Sequence, residues 1–317
     1  MTSLLTNTAA MVALQTLNQI NSSLNTTNNR VSTGLRIAQA QDSAAYWAIA
    51  TTTASDNGAL GAVTDALSIG ISTLDVVYNG LETTRDSLQK MKELMVSARQ
   101  PGVNRTNVSV ELAGLITDMA NKAGASVINE QNFLEVDMDT YNATKAVVAS
   151  FERSAAGISI STIDLDISSI ILVDTDSGVD GEGGILDKDR TTDSAGNVYG
   201  SGNTYQIDGL APLVAAVTDS VADLAELEEM IDSVDQALVE VIAAQNTVGV
   251  NLARAESQKT FVDALMDAND RAVGSLIDAN MEEESTKLRA LQTQQQLSVE
   301  SLSIANASAQ NVLALFR

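Results

Sequence analysis

Ser87-Leu88-Gln89-Lys90 places a hydroxyl three residues before an amine, the spacing used by serine acyl-enzymes. That chemistry also needs Ser-Asp-Asn and Lys-Thr-Gly partners. Lys259-Thr260-Phe261 is not one of them, and the pattern around Ser87 is that of a mid-helix residue. Asp174, Asp176, Gly178, Asp180 and Glu182 form an acidic, Gly-rich stretch whose hard oxygens would suit Ca²⁺. The helix–loop–helix calcium spacing fails there, because Gly178 falls on the fifth position and Gly181 is misplaced, so the stretch reads as a solvated turn. Glu282-Glu283-Glu284 reads as a solvated helix face. No Gly-rich phosphate loop follows a strand. There is no His and no Cys, which removes the imidazole base, the usual metal ligands, thiolate chemistry and any disulfide frame. No catalytic, cofactor-binding or metal-ligating residue is assigned, and the chain is not read as an enzyme. Turnover lost on changing Ser87 or Lys90 would reverse that reading.

The informative feature is where charge is missing. Met1 to Asn29 and Ser301 to Phe316 contain no Asp, Glu, Lys or Arg, although the 317-residue chain carries a formal net charge of -23. The acidity argues against nucleic acid or an anionic membrane as partner. Hydrophobic residues make up 44% but aromatics only 3%, which favours long packed helices over a compact enzyme core. The N-terminus lacks the basic region of a Sec signal peptide, and no window is expected to reach the apolar length of a membrane span.

The periodicity predicts helix from Leu5 to about Val96, with Ala10, Leu17, Leu24 and Val31 at seven-residue spacing, Leu14 and Leu35 on an adjoining line, and Asn21 and Asn28 interrupting it. A helical run from Asp65 to Ala98 stops at Gln100-Pro101-Gly102, and another covers about Asn107 to Ala125. Phe133–Val136, Ala146–Phe151, Ile158–Ile163 and Ile167–Val173 read as strands, and Asp174 to Asn203 as loops. After Pro212, helix is expected over Val214–Ala253 and Lys259–Leu315. The last part alternates four and three through Ile277, Met281, Glu284, Leu288, Leu291, Gln295, Ser298, Leu302, Ala305, Ala309, Val312 and Phe316. The fold class is therefore mainly α: long N- and C-terminal helices paired in a coiled-coil-like bundle, with a small β-rich central insertion. Trp47, the one Trp, reads as a core anchor or else as a contact to a neighbouring molecule.

Burying a Leu or Val contributes roughly 1.5–3 kcal/mol, and ordering a residue's backbone costs about 1–2 kcal/mol. A narrow apolar stripe softened by Asn, Gln and Ser leaves each terminal helix near break-even. Such helices should order when copies surround them, and without charges the copies crowd without repulsion.

Arg30-Val31-Ser32-Thr33-Gly34-Leu35-Arg36-Ile37, followed by Ala40, Asp42, Ala44, Ala45, Ile49 and Ala50, resembles the N-terminal signature of bacterial flagellins. Asp278 to Leu288, then Gln295-Gln296, Ala305-Asn306 and Val312-Leu313, is similar to that family's C-terminal signature. Ala45-Tyr46-Trp47 looks like the alphaproteobacterial, rhizobial variant.

The resemblance implies a structural subunit that polymerises into the flagellar filament for swimming motility, exported unfolded and located outside the cell. The implied layout is an inner-tube axial helix at 1–45, an outer-tube helical region at 46–140, a variable surface domain at 141–211, a second outer-tube region at 212–272 and the C-terminal axial helix at 273–317. Filament-core packing falls to Leu14, Leu17, Leu24, Val31, Leu35, Ile277, Met281, Leu288, Leu291, Leu302, Ala305, Val312 and Phe316. Implied partners are other copies, alone or with other flagellins, an export chaperone, and the filament cap and hook-junction proteins. Leu88, Gln89, Lys90, Lys92, Glu93 and Leu94 align with the helix that vertebrate flagellin receptors contact. Lys90 stands where Arg is usual, so weak signalling is expected. Ala38-Gln39 and Ser43 depart from the segment read by plant receptors. Thr191, Thr192, Ser194 and Ser201 are candidate O-glycosylation positions. The alternatives are a hook–filament junction protein and, from another class, a secreted adhesin.

Overall fold

The computed structural model describes residues 7–138, 140–154, 157–175 and 183–314. The helices are α1 (Thr8–Thr33), α2 (Ala44–Ala98), α3 (Arg105–Ala125), α4 (Leu210–Ala216), α5 (Val221–Ile277) and α6 (Met281–Ala314). Among the described residues, six strands lie between α3 and α4: β1 (Val127–Ile128), β2 (Gln131–Asn132), β3 (Glu135–Val136), β4 (Thr144–Ser154), β5 (Gly157–Asp166) and β6 (Val173–Asp174). The chain forms two compact units, one of Met1–Gly58 with Leu265–Arg317 and one of Ala59–Ala264.

In the first unit, the single helical run expected from Leu5 to Val96 is interrupted. The Asn7 side chain accepts the Ala10 N–H at 3.1 Å and starts α1. Gly34, at φ 72°, ends α1 in the left-handed conformation, and its N–H donates to the Arg30 carbonyl at 2.9 Å. The Asp42 carboxylate then accepts the Ala38 and Gln39 N–H groups at 3.0 and 3.1 Å, which holds the connection in a turn before α2. The second break also moves. Residues 254–258 contain neither Gly nor Pro, so α5 continues to Ile277, and the interruption falls at 278–280. There Asn280 caps α6 by accepting from the N–H groups of Glu282 and Glu283. The two interruptions pair with each other. Leu35 and Asp278 form an antiparallel bridge, the Arg36 N–H reaches the Ile277 carbonyl at 2.6 Å, and the Ala279 N–H reaches Gly34 at 2.8 Å.

In the second unit, residues of α2 and α5 enclose an aliphatic core with α3 and α4. Leu67, Leu74, Leu81, Leu88, Met91, Met95, Leu112, Met119, Val234, Val241 and Val248 are all buried. Arg85 donates to Gln245 at 3.2 Å, Lys92 pairs with Asp235, and Arg99 pairs with Glu228, so α2 and α5 run antiparallel there. β4 and β5 form an antiparallel hairpin in which Val147 opposes Ile163, with a bulge between Val148 and Ser150. The hairpin packs closely on α2: a Cβ at Gly70 would stand 2.4 Å from Val147 Cγ1.

The strand expected over Ile167–Val173 forms only at its end, where β6 pairs in parallel with β3. The Asp166 carboxylate accepts the Ser168 N–H at 3.0 Å and hydroxyl at 2.7 Å, which curls the chain out of β5. Ile167, Ile170, Ile171 and Leu172 are then buried as a turn. Likewise Phe133 and Leu134 are buried ahead of β3. Trp47 is 39% exposed, so it does not anchor the core of its unit; Ala50 is the buried residue nearby. One expectation fails by composition: α2 holds an 18-residue window of mean hydropathy 1.4, long and apolar enough to cross a membrane by that measure. Leu60, Val63, Leu67, Leu74 and Val77 of α2 are packed into the protein core.

Candidate assembly interface

Helices α1 and α6 pair antiparallel. Asn7 Nδ2 donates to the Ala305 carbonyl at 3.0 Å, Gln295 Nε2 donates to Asn21 Oδ1 at 2.8 Å, and Arg30 meets Glu284 at 3.1 Å. On α6 the less exposed positions are Glu284, Ser285, Leu288, Leu291, Gln295, Ser298, Leu302 and Ala305, which apart from Ser285 follow the four–three alternation. On α1 they include Ala10, Ala13, Leu17, Ile20, Leu24, Thr27 and Val31. The polar residues that interrupt one seam therefore bond to those that interrupt the other. Glu284 is 8% exposed, which corrects the reading of Glu282–Glu284 as a wholly solvated face.

Among the expected packing residues, Leu17, Leu24, Val31, Leu288, Leu291, Leu302 and Ala305 lie on this seam. Leu35 and Ile277 are half-buried where the two interruptions pair. Leu14 is 50% exposed and Met281 43% exposed within the chain. The side chain of Val312 and the whole of Phe316 lie outside the described residues.

The pair buries remarkably little for its length, given 26 residues in α1 and 34 in α6: Thr27 is the buried residue of α1, and Glu284 that of α6 among the described side chains. Met11, Val12, Leu14, Leu297, Val299 and Ile304 are exposed by 50–63%. Surrounding charge is sparse as well. The first unit holds nine acidic and six basic residues, so it carries -3 of the -23, and the second unit carries -20.

The signature residues have local structural reasons. Arg30 reaches Glu284, Gly34 supplies the left-handed cap, the Arg36 side chain donates to the Leu276 carbonyl at 2.7 Å, and Asp42 caps its own turn. Ser32, Ala44 and Ala45 are exposed. On α2, Leu88 is buried and Leu94 half-buried. Lys92 is paired with Asp235, and Gln89, Lys90 and Glu93 are exposed. The Ser87 hydroxyl donates to the Thr83 carbonyl of its own helix at 2.9 Å while Lys90 faces solvent, so the two are not brought together for catalysis.

Asp174 lies in β6, and its N–H donates to Asp187 Oδ2 at 2.7 Å. Asp176, Gly178, Asp180 and Glu182 lie outside the described residues. Among the described residues no group of His, Cys, Asp or Glu is arranged to hold a metal ion.

Sequence reasoning missed an acidic ladder on α5. Glu229 accepts from the Gly200 N–H and the Tyr205 hydroxyl, Asp232 accepts from the Ser194 N–H and the Tyr199 hydroxyl, and Glu240 holds Lys188 and the buried Arg190. Burial raises the pKa of both tyrosines above the usual phenol range, and the neighbouring carboxylates add to the effect. Regular spacing along one helix face is the available signal, and an ordinary solvated face has the same spacing.

Comparison with known proteins follows this geometry. Residues 4–136 match the family description "Bacterial flagellin N-terminal helical region", and residues 231–316 match "Bacterial flagellin C-terminal helical region". Flagellin C of Rhizobium meliloti (strain 1021) is 42% identical over 323 residues, covering 100% of both chains. Flagellin A of the same strain is 34% identical over 398 residues, again covering 100% of both. The solved structure of FliC from Burkholderia pseudomallei is similar at a TM-score of 0.35 and 17% identity, over 58% of this chain and 99% of that one.

Proposed function

The chain belongs to the bacterial flagellins, of rhizobial type, and is a structural subunit of the helical flagellar filament that drives swimming; from that premise we propose that the α1–α6 pair is the part that its neighbours complete. The carrying observation is the near-absence of buried side chains along two long helices, α1 with Arg30 as its one charged residue and α6 uncharged after Glu300, whose outer apolar residues stay exposed. Each such side chain covered by another copy contributes roughly 1.5–3 kcal/mol. A seam repeated along a filament gathers many of these without like-charge repulsion.

In this reading residues 1–45 and 273–317 line an inner tube, with Leu14 and Met281 turned toward other copies. Residues 46–140 and 212–272 form the outer tube, and 141–211 face water. The role is structural rather than enzymatic. The subunit leaves the cell through the flagellar export channel with an export chaperone and is added beneath a cap, on a filament joined to the hook by junction proteins. The exposed Trp47 serves as a filament contact. Full-length likeness to flagellins favours the filament subunit over a hook–filament junction protein or an adhesin.

The test is seeded polymerisation followed by electron microscopy. The full chain should give long tubular filaments. A version lacking residues 1–33 and 281–317 should give none while keeping the helical circular dichroism of the second unit. Equal polymerisation by the trimmed version would refute the reading. Gln89, Lys90 and Glu93 also offer an exposed patch to a vertebrate flagellin receptor, with Lys90 lacking the planar donor fork of Arg. Reporter-cell signalling should be weak and should rise with Lys90→Arg; full-strength signalling by the unchanged chain would remove that proposal.

A further inference from the structure

The apolar pattern of the α1–α6 seam does not define which residues meet. It repeats every seven residues, so sliding α6 by one heptad, about 10.5 Å, again sets apolar against apolar. A one-heptad slip would place Asn21 against Leu288 or Leu302 and Arg30 against Ile277 or Leu291. Some feature of the chain must therefore select one register.

We propose that Arg30 and Glu284 form the register lock of the terminal helix pair and act as its specificity-determining residues. Their side chains form an ion pair across the seam, at 3.1 Å. Glu284 is 8% exposed, and its Oε2 and the Nε of Arg30 are buried without a hydrogen-bond partner. A pair so incompletely satisfied is a poor device for stability, since desolvation offsets most of its attraction. It is an effective device for selection, because any slip leaves the buried Glu284 carboxylate and the half-buried Arg30 side chain facing Leu or Ile. Each charge also suits its own helix: Arg30 sits in the last turn of α1 and Glu284 in the first turn of α6. The paired interruptions at Leu35–Asp278 lie beside the lock and show the same register at that end of the helix pair. The Asn21–Gln295 hydrogen bond reports the same register farther along.

The full chain has no cysteine, so introduced thiols are its only thiols. In N21C/Q295C the intramolecular disulfide should form at least about tenfold more than in N21C/L288C or N21C/L302C, scored as the faster band on non-reducing gels of both soluble subunit and seeded filaments. Adding R30M/E284M should bring the three yields within about threefold of one another. R30E alone should do the same, and the swap R30E/E284R should restore the preference. R30M/E284M retaining the original preference overturns the proposal. If that variant does not fold, a swap no better than R30E alone overturns it instead. The importance of the lock for assembly rests on the filament reading, but the crosslink pattern does not. Missing filaments with an intact pattern would count against the reading and leave the lock standing.

Discussion

Gly70→Ala and Gly114→Ala make the same chemical change inside two helices and should shift stability in opposite directions. Replacing a mid-helix Gly by Ala gains about 1 kcal/mol in helix propensity. Nothing lies within 4 Å of a Cβ at Gly114, so that gain should be realised in full. At Gly70 the new Cβ would stand 2.4 Å from Val147 Cγ1 and 3.2 Å from Cγ2. Carbon atoms settle at about 3.5–4.0 Å, so roughly 1 Å of overlap must be relieved. Val147 cannot easily yield, because it is β-branched and stiff at χ1, and its strand is held in register against Ile163. Overpacking of this kind costs about 1–3 kcal/mol, which exceeds the propensity gain. Gly70→Ala should therefore destabilise by about 1 kcal/mol, and the two substitutions should differ by about 2 kcal/mol. Urea unfolding of the monomeric subunit, followed by far-ultraviolet circular dichroism, measures both. In a Val147→Ala background the clash is gone, and Gly70→Ala should become stabilising, a coupling visible in the double-mutant cycle. A Gly70→Ala protein with a raised urea midpoint, matching Gly114→Ala, would refute the close-packing argument.

At Gly34 the φ of 72° with open space around the α-carbon makes the cost purely conformational. Gly34→Ala should weaken the cap by about 1–2 kcal/mol and Gly34→Asn by less, read as filament yield and as protease resistance of the α1 end. Burial raises the pKa of Asp187, and nearby Asp174 and Asp208 add to it; burial likewise raises that of Asp208. Their contribution to stability is fully present below the unfolded carboxylate pKa, near 4, and is lost as pH rises through the higher folded pKa. Asp187→Asn, which keeps the acceptor for the Asp174 N–H, should stabilise at neutral pH and lose that advantage below about pH 4, measured by urea midpoints across pH. Leu88→Ala removes a fully buried side chain and should cost about 2–5 kcal/mol, whereas the adjacent exposed Gln89→Ala should stay within about 0.5 kcal/mol by the same measurement.

The parts legible in the sequence were those governed by period. The four–three alternation from Glu284 to Ala305 selected the less exposed face of α6, because helical geometry alone decides which residues share a face. Helix ends were harder, because periodicity continues across them. Gly34 is a readable stop only once its left-handed φ is known, and α5 passes through the expected break because nothing in Arg254 to Gln258 opposes a helix. The Ile167–Val173 run was read by composition as a strand. A single carboxylate at Asp166 turned it aside, and burial of Ile167, Ile170, Ile171 and Leu172 does not require a ladder.

Polar partners were the least legible. Asn21 with Gln295 and Arg30 with Glu284 lie more than two hundred residues apart in sequence. Asn21, Glu284 and Gln295 read as interruptions of their own seams and Arg30 as a signature residue, and only the pairing shows that they match. Glu229, Asp232 and Glu240 lie on one helix face with the spacing of an ordinary solvated face, and the loop they hold comes from residues 188–205. The absence of charge at the two ends is of another kind. Within one chain nothing demands it, since Met11, Val12, Leu297 and Ile304 are exposed and a lysine beside them would be tolerated. A requirement arises only when like surfaces must meet at close range. There a repeated charge would cost energy at every subunit, while a repeated valine would contribute at every subunit.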